Sequence, residues 1–162
     1  MPPALLLLLA AALALGGCGL RPDRRASAQE CMERAMYFES FRSSRDGLVA
    51  VGSVVMNRVA SPAFPDTVCG VVSQPNQFAS GVMRNEMRDA PLVREAAAAV
   101  LRGERHPLVG GAEFFHAASY RAGYDNMHYT VTTGGNAFYE RRRPEQVTRP
   151  VPPPPVEGLT PA

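Results

Sequence analysis

The 162-residue chain has no tryptophan, only three cysteines and three histidines, and a formal net charge of just +2. Each shortage excludes something. Without tryptophan, ring stacking falls to phenylalanine, tyrosine and histidine. The few cysteines and histidines never fall at zinc-site spacing, so no metal and no cofactor is expected. The small net charge gives no electrostatic footprint for nucleic acid. No nucleophile-elbow motif is present, and nothing repeats at solenoid periods. The longest apolar run, Ala4 to Leu15, is about a dozen residues, short of the ~20 needed to cross ~30 Å of hydrocarbon as a helix.

What is present reads as an export signal and one domain. The Leu/Ala run is followed by Gly16, Gly17 and Cys18, the layout of a secretory h-region with a cleavage site. Leu15-Gly16-Gly17-Cys18 resembles a bacterial lipobox, which implies cleavage before Cys18 and lipidation of its thiol. Gly19 then implies sorting to the outer membrane. Met1-Pro2-Pro3 has none of the usual basic residues, so an upstream start or a plain signal peptide stays open. The expected organisation is signal peptide 1–17, lipidated cysteine and tether 18–27, folded domain 28–143 and a Pro-rich disordered tail 144–162. The tail contains Pro152-Pro153-Pro154-Pro155 and has no means of forming a core by itself. With Cys18 lipidated, Cys31 and Cys69 remain. In an exported protein that pair reads as one disulfide, with two buried free thiols as the alternative.

Helix signals dominate the domain. Ser27 and Glu30 form a Ser-x-x-Glu capping box for a first helix reaching about Phe41. At ~100° per residue, Glu30, Glu33, Arg34 and Tyr37 share one arc, and Cys31, Met32, Ala35, Met36 and Phe38 the other. Leu48 to Val59 is Val-rich and open to a strand reading. Its length and lack of period-2 alternation favour a central helix, apolar nearly all round. A short helix at 67–72, a loop at 74–85 and a helix between Pro91 and Gly103 follow. Residues 114–139 are aromatic and Gly-rich, with no clear period, and read as loops with room for a short hairpin.

One carboxylate is out of place. Glu39 falls on the apolar arc among Met36, Tyr37, Phe38 and Phe41. Such surroundings raise a carboxyl pKa and suit a general acid. The alternative is that Glu39 reaches solvent or caps a neighbouring loop. Asn57-Arg58 reads as a structural joint between the buried helix and the next loop.

The segments Ala35-Met36-Tyr37-Phe38-Glu39-Ser40, Val54-Val55-Met56-Asn57-Arg58-Val59 and Ser61 to Val72 resemble the SleB-type cell wall hydrolases, a family named after a spore-cortex-lytic enzyme. Gln77-Phe78, Phe115-His116 and Gly135-Asn136-Ala137-Phe138-Tyr139 match in order, so the resemblance spans about Cys31 to Tyr139. It implies a mainly α, small lysozyme-like or lytic-transglycosylase-like domain. It also implies cleavage of peptidoglycan between N-acetylmuramic acid and N-acetylglucosamine. The family's glutamate, in Tyr-x-Glu-Ala, lands on Glu39, with Ser40 in place of the alanine. Two departures stand out. Asn76-Gln77-Phe78-Ala79-Ser80 lacks the cysteines that flank this segment in many exported relatives, so the loop must be held differently. Tyr124 to Tyr129 replaces a stretch that usually carries tryptophan.

The resemblance makes Gln77, Phe78, His116, Tyr120, Asn136 and Tyr139 candidates for holding sugar. The competing reading puts the aromatics in the core and has the amides cap loops. No second carboxylate faces Glu39 in the sequence, since Asp46, Asp66 and Glu113 lie in unrelated contexts. That favours a one-acid lytic transglycosylase over two-carboxylate hydrolysis. Muramidase-type hydrolysis and a non-catalytic peptidoglycan-binding lipoprotein are the rivals, with a protein-interaction module using the Pro-rich tail as a third. The expected partners are glycan strands and, through the lipid, a membrane. A monomer in the periplasm, anchored to the outer membrane, is expected.

Overall fold

The computed structural model describes residues 26–40 and 43–161. The signal, the lipobox with Cys18, and Phe41 lie outside the described residues. Four helices come first: α1 (Ala28–Ser40), α2 (Arg45–Ala60), α3 (Val68–Val72) and α4 (Pro91–Leu101). Three strands follow: β1 (Phe114–Ala117), β2 (Met127–Thr133) and β3 (Asn136–Arg141).

The helices start where side chains can serve their free N–H groups. Ser27 Oγ accepts from Glu30 N–H at 3.1 Å, Ser44 Oγ from Gly47 N–H at 3.2 Å, and Thr67 Oγ1 from Gly70 N–H at 3.1 Å. Pro91 opens α4. The Glu30 carboxylate does not complete the capping box and instead pairs with Arg34 one turn on, at 3.3 Å. α2 is the central helix, with Leu48 to Val55 buried without interruption. Cys31, Met32, Ala35 and Met36 of α1, and Val93, Ala96, Ala97 and Val100 of α4, join it in one core. Cys31 and Cys69 are joined in a disulfide, Cα to Cα 5.2 Å, which ties α1 to α3.

The region after 114 corrects the loop reading. It is an antiparallel sheet in the order β1-β3-β2. Gly134 and Gly135, with φ of 57° and 78°, make the β2–β3 turn; two consecutive positive φ values suit the right-handed twist of a hairpin. The register slips between Tyr129, paired with Tyr139, and Val131, paired with Phe138. This irregularity lets residues two apart serve opposite faces. Val131 joins Phe115 and Phe138 against the helical core, while Tyr129 packs with Met127, Ala137 and Tyr139 on the other face.

The tail is also a correction. After one 3-10 turn (Pro144–Gln146) it is extended, but it is held against the domain through Thr160. Tyr129 N–H donates to Arg149 O and Val156 N–H to Thr132 O, both at 2.9 Å. The strap thus covers edge strand β2, whose backbone groups would otherwise be unpaired. Its end is fixed by Asp46, only 1% exposed. That carboxylate accepts from Leu159 N–H (2.8 Å), Thr160 N–H (2.7 Å) and the Thr160 hydroxyl. Burial works to raise the Asp46 carboxyl, but these donors together, with His106 nearby, hold it below its ordinary value.

Candidate active site

Glu39 lies in the last turn of α1, on the wall of an open cleft of about 570 Å³. The cleft is lined by Tyr37, Phe38, Glu39 and Ser40 of α1, Ser43 and Ser44, the Gly134-Gly135 turn, and Glu157 of the strap. The turn reaches this wall because α2 meets it backbone to backbone. A Cβ on Gly134 would lie 2.3 Å from Gly47 Cα, so neither position admits a side chain without moving helix or hairpin.

Both readings of Glu39 hold in part. One carboxylate oxygen caps a loop, since Ala79 N–H donates to Oε1 at 2.6 Å. The group also lines the cleft. Burial raises its pKa above the ordinary glutamate value, against the pull of the Ala79 N–H and the Arg58 charge. A carboxyl so placed keeps its proton to higher pH than a surface glutamate and can deliver it to a bound oxygen.

Asn136 sits behind Glu39. Its Nδ2 donates to Glu39 O and to Ser40 Oγ, each at 3.3 Å. The amide therefore fastens the end of α1 to β3, and its geometry is that of a positioning residue. The loop that lacks its cysteines is held from the polar side of α1. Arg34 Nη1 donates to Val82 O (3.2 Å) and Asn85 O (2.9 Å), and Arg88 N–H donates to the Tyr37 hydroxyl (3.1 Å). With the Ala79 contact to Glu39 on the other arc, these bonds hold the stretch from 79 to 88 against α1.

Arg58 has more to do than join a helix to a loop. It is 3% exposed. Its Nε donates to Glu113 O at 2.7 Å, and its guanidinium carbon lies 5.1, 5.3 and 5.6 Å from the ring centroids of Phe64, Phe78 and Phe114. Rings from three separate segments thus enclose a cation near Glu39. From Phe114 the aromatic contacts continue outward. Tyr139 stacks on Phe114 at 5.6 Å, and His116 lies 5.7 Å from Tyr139 and 5.4 Å from Tyr120. His116 Nδ1 is 2.9 Å from Ala117 O and Nε2 is 2.8 Å from the Tyr129 hydroxyl. A carbonyl only accepts, so Nδ1 donates to Ala117 O, while the Tyr129 hydroxyl also reaches Met127 Sδ at 3.7 Å.

Phe78, Tyr139, His116 and Tyr120 are thus linked by ring contacts through Arg58 and Phe114, but the candidates do not share one cleft. Gln77 is exposed on its loop and Phe78 lines a separate hollow with residues 73–84. Tyr120, 56% exposed, borders a second hollow of about 560 Å³ against Pro150 to Pro155. Glu157 was not legible as a site residue, because it stands in a Pro-rich segment far along the chain from the residues that hold it. Among the described residues, no group of three or more His, Cys, Asp or Glu is placed to hold a metal ion.

A cell wall hydrolase profile matches residues 42–139, more than half of the chain. The chain belongs to the cell wall hydrolase family. Over 97 residues it is 32% identical to a spore cortex-lytic enzyme of Halalkalibacterium halodurans, covering 59% of this chain and 29% of that protein. Over 49 residues it is 45% identical to the spore cortex-lytic enzyme of Bacillus cereus, covering 30% of this chain and 19% of that one. The chain thus spans less than a third of the length of these curated relatives. In structure it is similar to the catalytic domain of the germination-specific lytic transglycosylase SleB from Bacillus anthracis, with a TM-score of 0.61 and 25% identity over 74% of this chain and 99% of that one. The SleB catalytic domain of Bacillus cereus gives the same TM-score and identity over 77% of this chain and 99% of that one. The family match begins three residues after Glu39 and ends before the strap, so it covers neither Glu39 nor Glu157.

Proposed function

We propose that the chain cleaves peptidoglycan glycan strands between N-acetylmuramic acid and N-acetylglucosamine, as a lytic transglycosylase with Glu39 as its one acid/base. The observation that carries this is a carboxyl with its pKa raised by burial, fixed by Ala79 N–H, on the wall of an open cleft. Glu39 protonates the glycosidic oxygen as its bond to C1 breaks and positive charge develops at C1. The resulting carboxylate then takes the proton of the sugar's own 6-hydroxyl. That oxygen closes on C1, leaving a 1,6-anhydro end and a regenerated acid. A glutamate ending a helix beside a small sheet also supports a lysozyme-like reading of the fold. Mass spectrometry of purified strands after digestion tests the route. The anhydro end is lighter by one water than the reducing end left by hydrolysis, so reducing ends alone would replace this mechanism with the muramidase one. Absence of any cleavage would leave a glycan-binding protein.

The alkaline limb of activity should follow the Glu39 pKa. Arg58 lowers that pKa, so Arg58→Met should raise it further and move the limb to higher pH, together with some loss of stability from the broken Glu113 contact. A pH–rate profile with an unmoved limb would show that Glu39 does not feel the Arg58 charge.

We also place the protein outside the cytoplasm, anchored to the outer membrane through lipid on Cys18. Cys18→Ala should then move the domain from the membrane fraction to the soluble fraction. Full retention with membranes would end the anchor assignment.

A further inference from the structure

The strap reaches the cleft as well as the sheet edge. Glu157 is exposed and lines the same cleft as Glu39. Both of its carboxylate oxygens are fixed: Oε1 accepts from Gly134 N–H at 2.7 Å, and Oε2 accepts from the Ser44 hydroxyl. The backbone is tied on either side, by Val156 N–H to Thr132 O before it and by Leu159 and Thr160 N–H to Asp46 after it. A side chain that only covered an edge strand would need none of this. The result is a preorganised acceptor at the cleft wall. A carboxylate offers about four lone-pair sites, and the described residues use one on each oxygen. Among the described residues, no arginine, lysine or histidine lines the cleft.

We propose that Glu157 is a substrate-binding residue, a fixed carboxylate delivered by the C-terminal strap that accepts hydrogen bonds from the hydroxyl and acetamido N–H groups of a glycan strand. The proposal rests on the glycan-cleaving reading of the cleft and adds to it a binding group outside the family-matched residues. Tyr37 and Phe38 line the same cleft and supply ring surface for the apolar faces of the sugars. Because the carboxylate is held before substrate arrives, little side-chain freedom is lost on binding.

The test separates binding from chemistry. The probe is a tetrasaccharide of alternating N-acetylglucosamine and N-acetylmuramic acid without stem peptides. Its Kd is measured on the full chain carrying Glu39→Gln, with and without Glu157→Gln, and KM and kcat are measured with Glu39 intact. Loss of a charge-assisted hydrogen bond should raise Kd and KM about tenfold or more, with a smaller change in kcat. The melting temperature of each variant is read alongside. An unchanged Kd, whatever the melting temperature, would overturn the proposal and leave Glu157 as a fastener. Tighter binding would overturn it too, by showing that the strap shields the cleft. No binding to the Glu39→Gln chain would also overturn it. Should the intact chain fail to cleave glycan while binding still depends on Glu157, the proposed reaction fails and this inference stands.

Discussion

Glu39→Gln is expected to lower glycan cleavage by at least about 10²–10⁴, the usual cost of removing a general acid, while the domain stays folded. Glutamine keeps the length and the oxygen that accepts from Ala79 N–H, so the loop cap survives. It cannot release a proton to the leaving oxygen at any working pH. The ionisation has a definite sign. Burial raises the folded pKa. Stability attributable to Glu39 is therefore fully present below its unfolded pKa and declines as pH rises through the folded one. Activity that needs the protonated form falls through the same folded pKa. Glutamine carries no such penalty, so the variant should melt at or slightly above the parent temperature at alkaline pH. Release of soluble fragments from purified strands, with circular dichroism as the folding control, checks both halves. A folded variant that still cleaves would move the acid elsewhere and reopen the two-carboxylate and binding-module readings.

Legibility in the sequence followed how local the determinants are. Ser27, Pro91 and the valine-rich stretch of α2 announce helices within a few residues, and those helices lie where the pattern puts them. Glu39 was legible for the same reason, being a carboxylate on an apolar arc. The sheet was not. Its period-2 pattern is broken at the register slip after Tyr129, and the remaining local signal, Gly134-Gly135 between two β-prone runs, supports a short hairpin but not the third strand that pairs with it. The strap was less accessible still, because its order depends on Asp46 and Ser44, more than a hundred residues earlier in the chain. Arg58 takes its surroundings from Phe64, Phe78 and Phe114, a convergence no window of sequence displays. Asn136 is a sugar-holding candidate in the sequence, and in the structure its amide faces the helix end that carries Glu39. What sequence supplies here is the proposed acid, and what it withholds is the set of distant residues that hold that group in place.

The second large effect concerns stability and should leave the chemistry alone. The Cys31–Cys69 bridge closes a span of 38 residues that contains the whole of α2. Chain-entropy reasoning gives such a loop roughly 4 kcal/mol, acting mainly on the unfolded state. For a domain of this size, the double variant Cys31→Ala/Cys69→Ala should melt on the order of 15 °C lower. The loss should start at α3, which has only five residues and too few turns to persist without its tether. Glu39 lies about two turns further along α1 and is held by Ala79 and Asn136, neither of which is a partner in the bridge. Well below the new melting point, cleavage per folded molecule should therefore stay within about twofold of the parent, since no group touching substrate has changed. Thermal melts of parent, double variant and reduced parent, with thiol titration of the unfolded protein, decide the matter. Two titratable thiols in the oxidised parent would remove the disulfide from the account. A large fall in cleavage at low temperature would show that the bridge positions Glu39 as well as stabilising the domain.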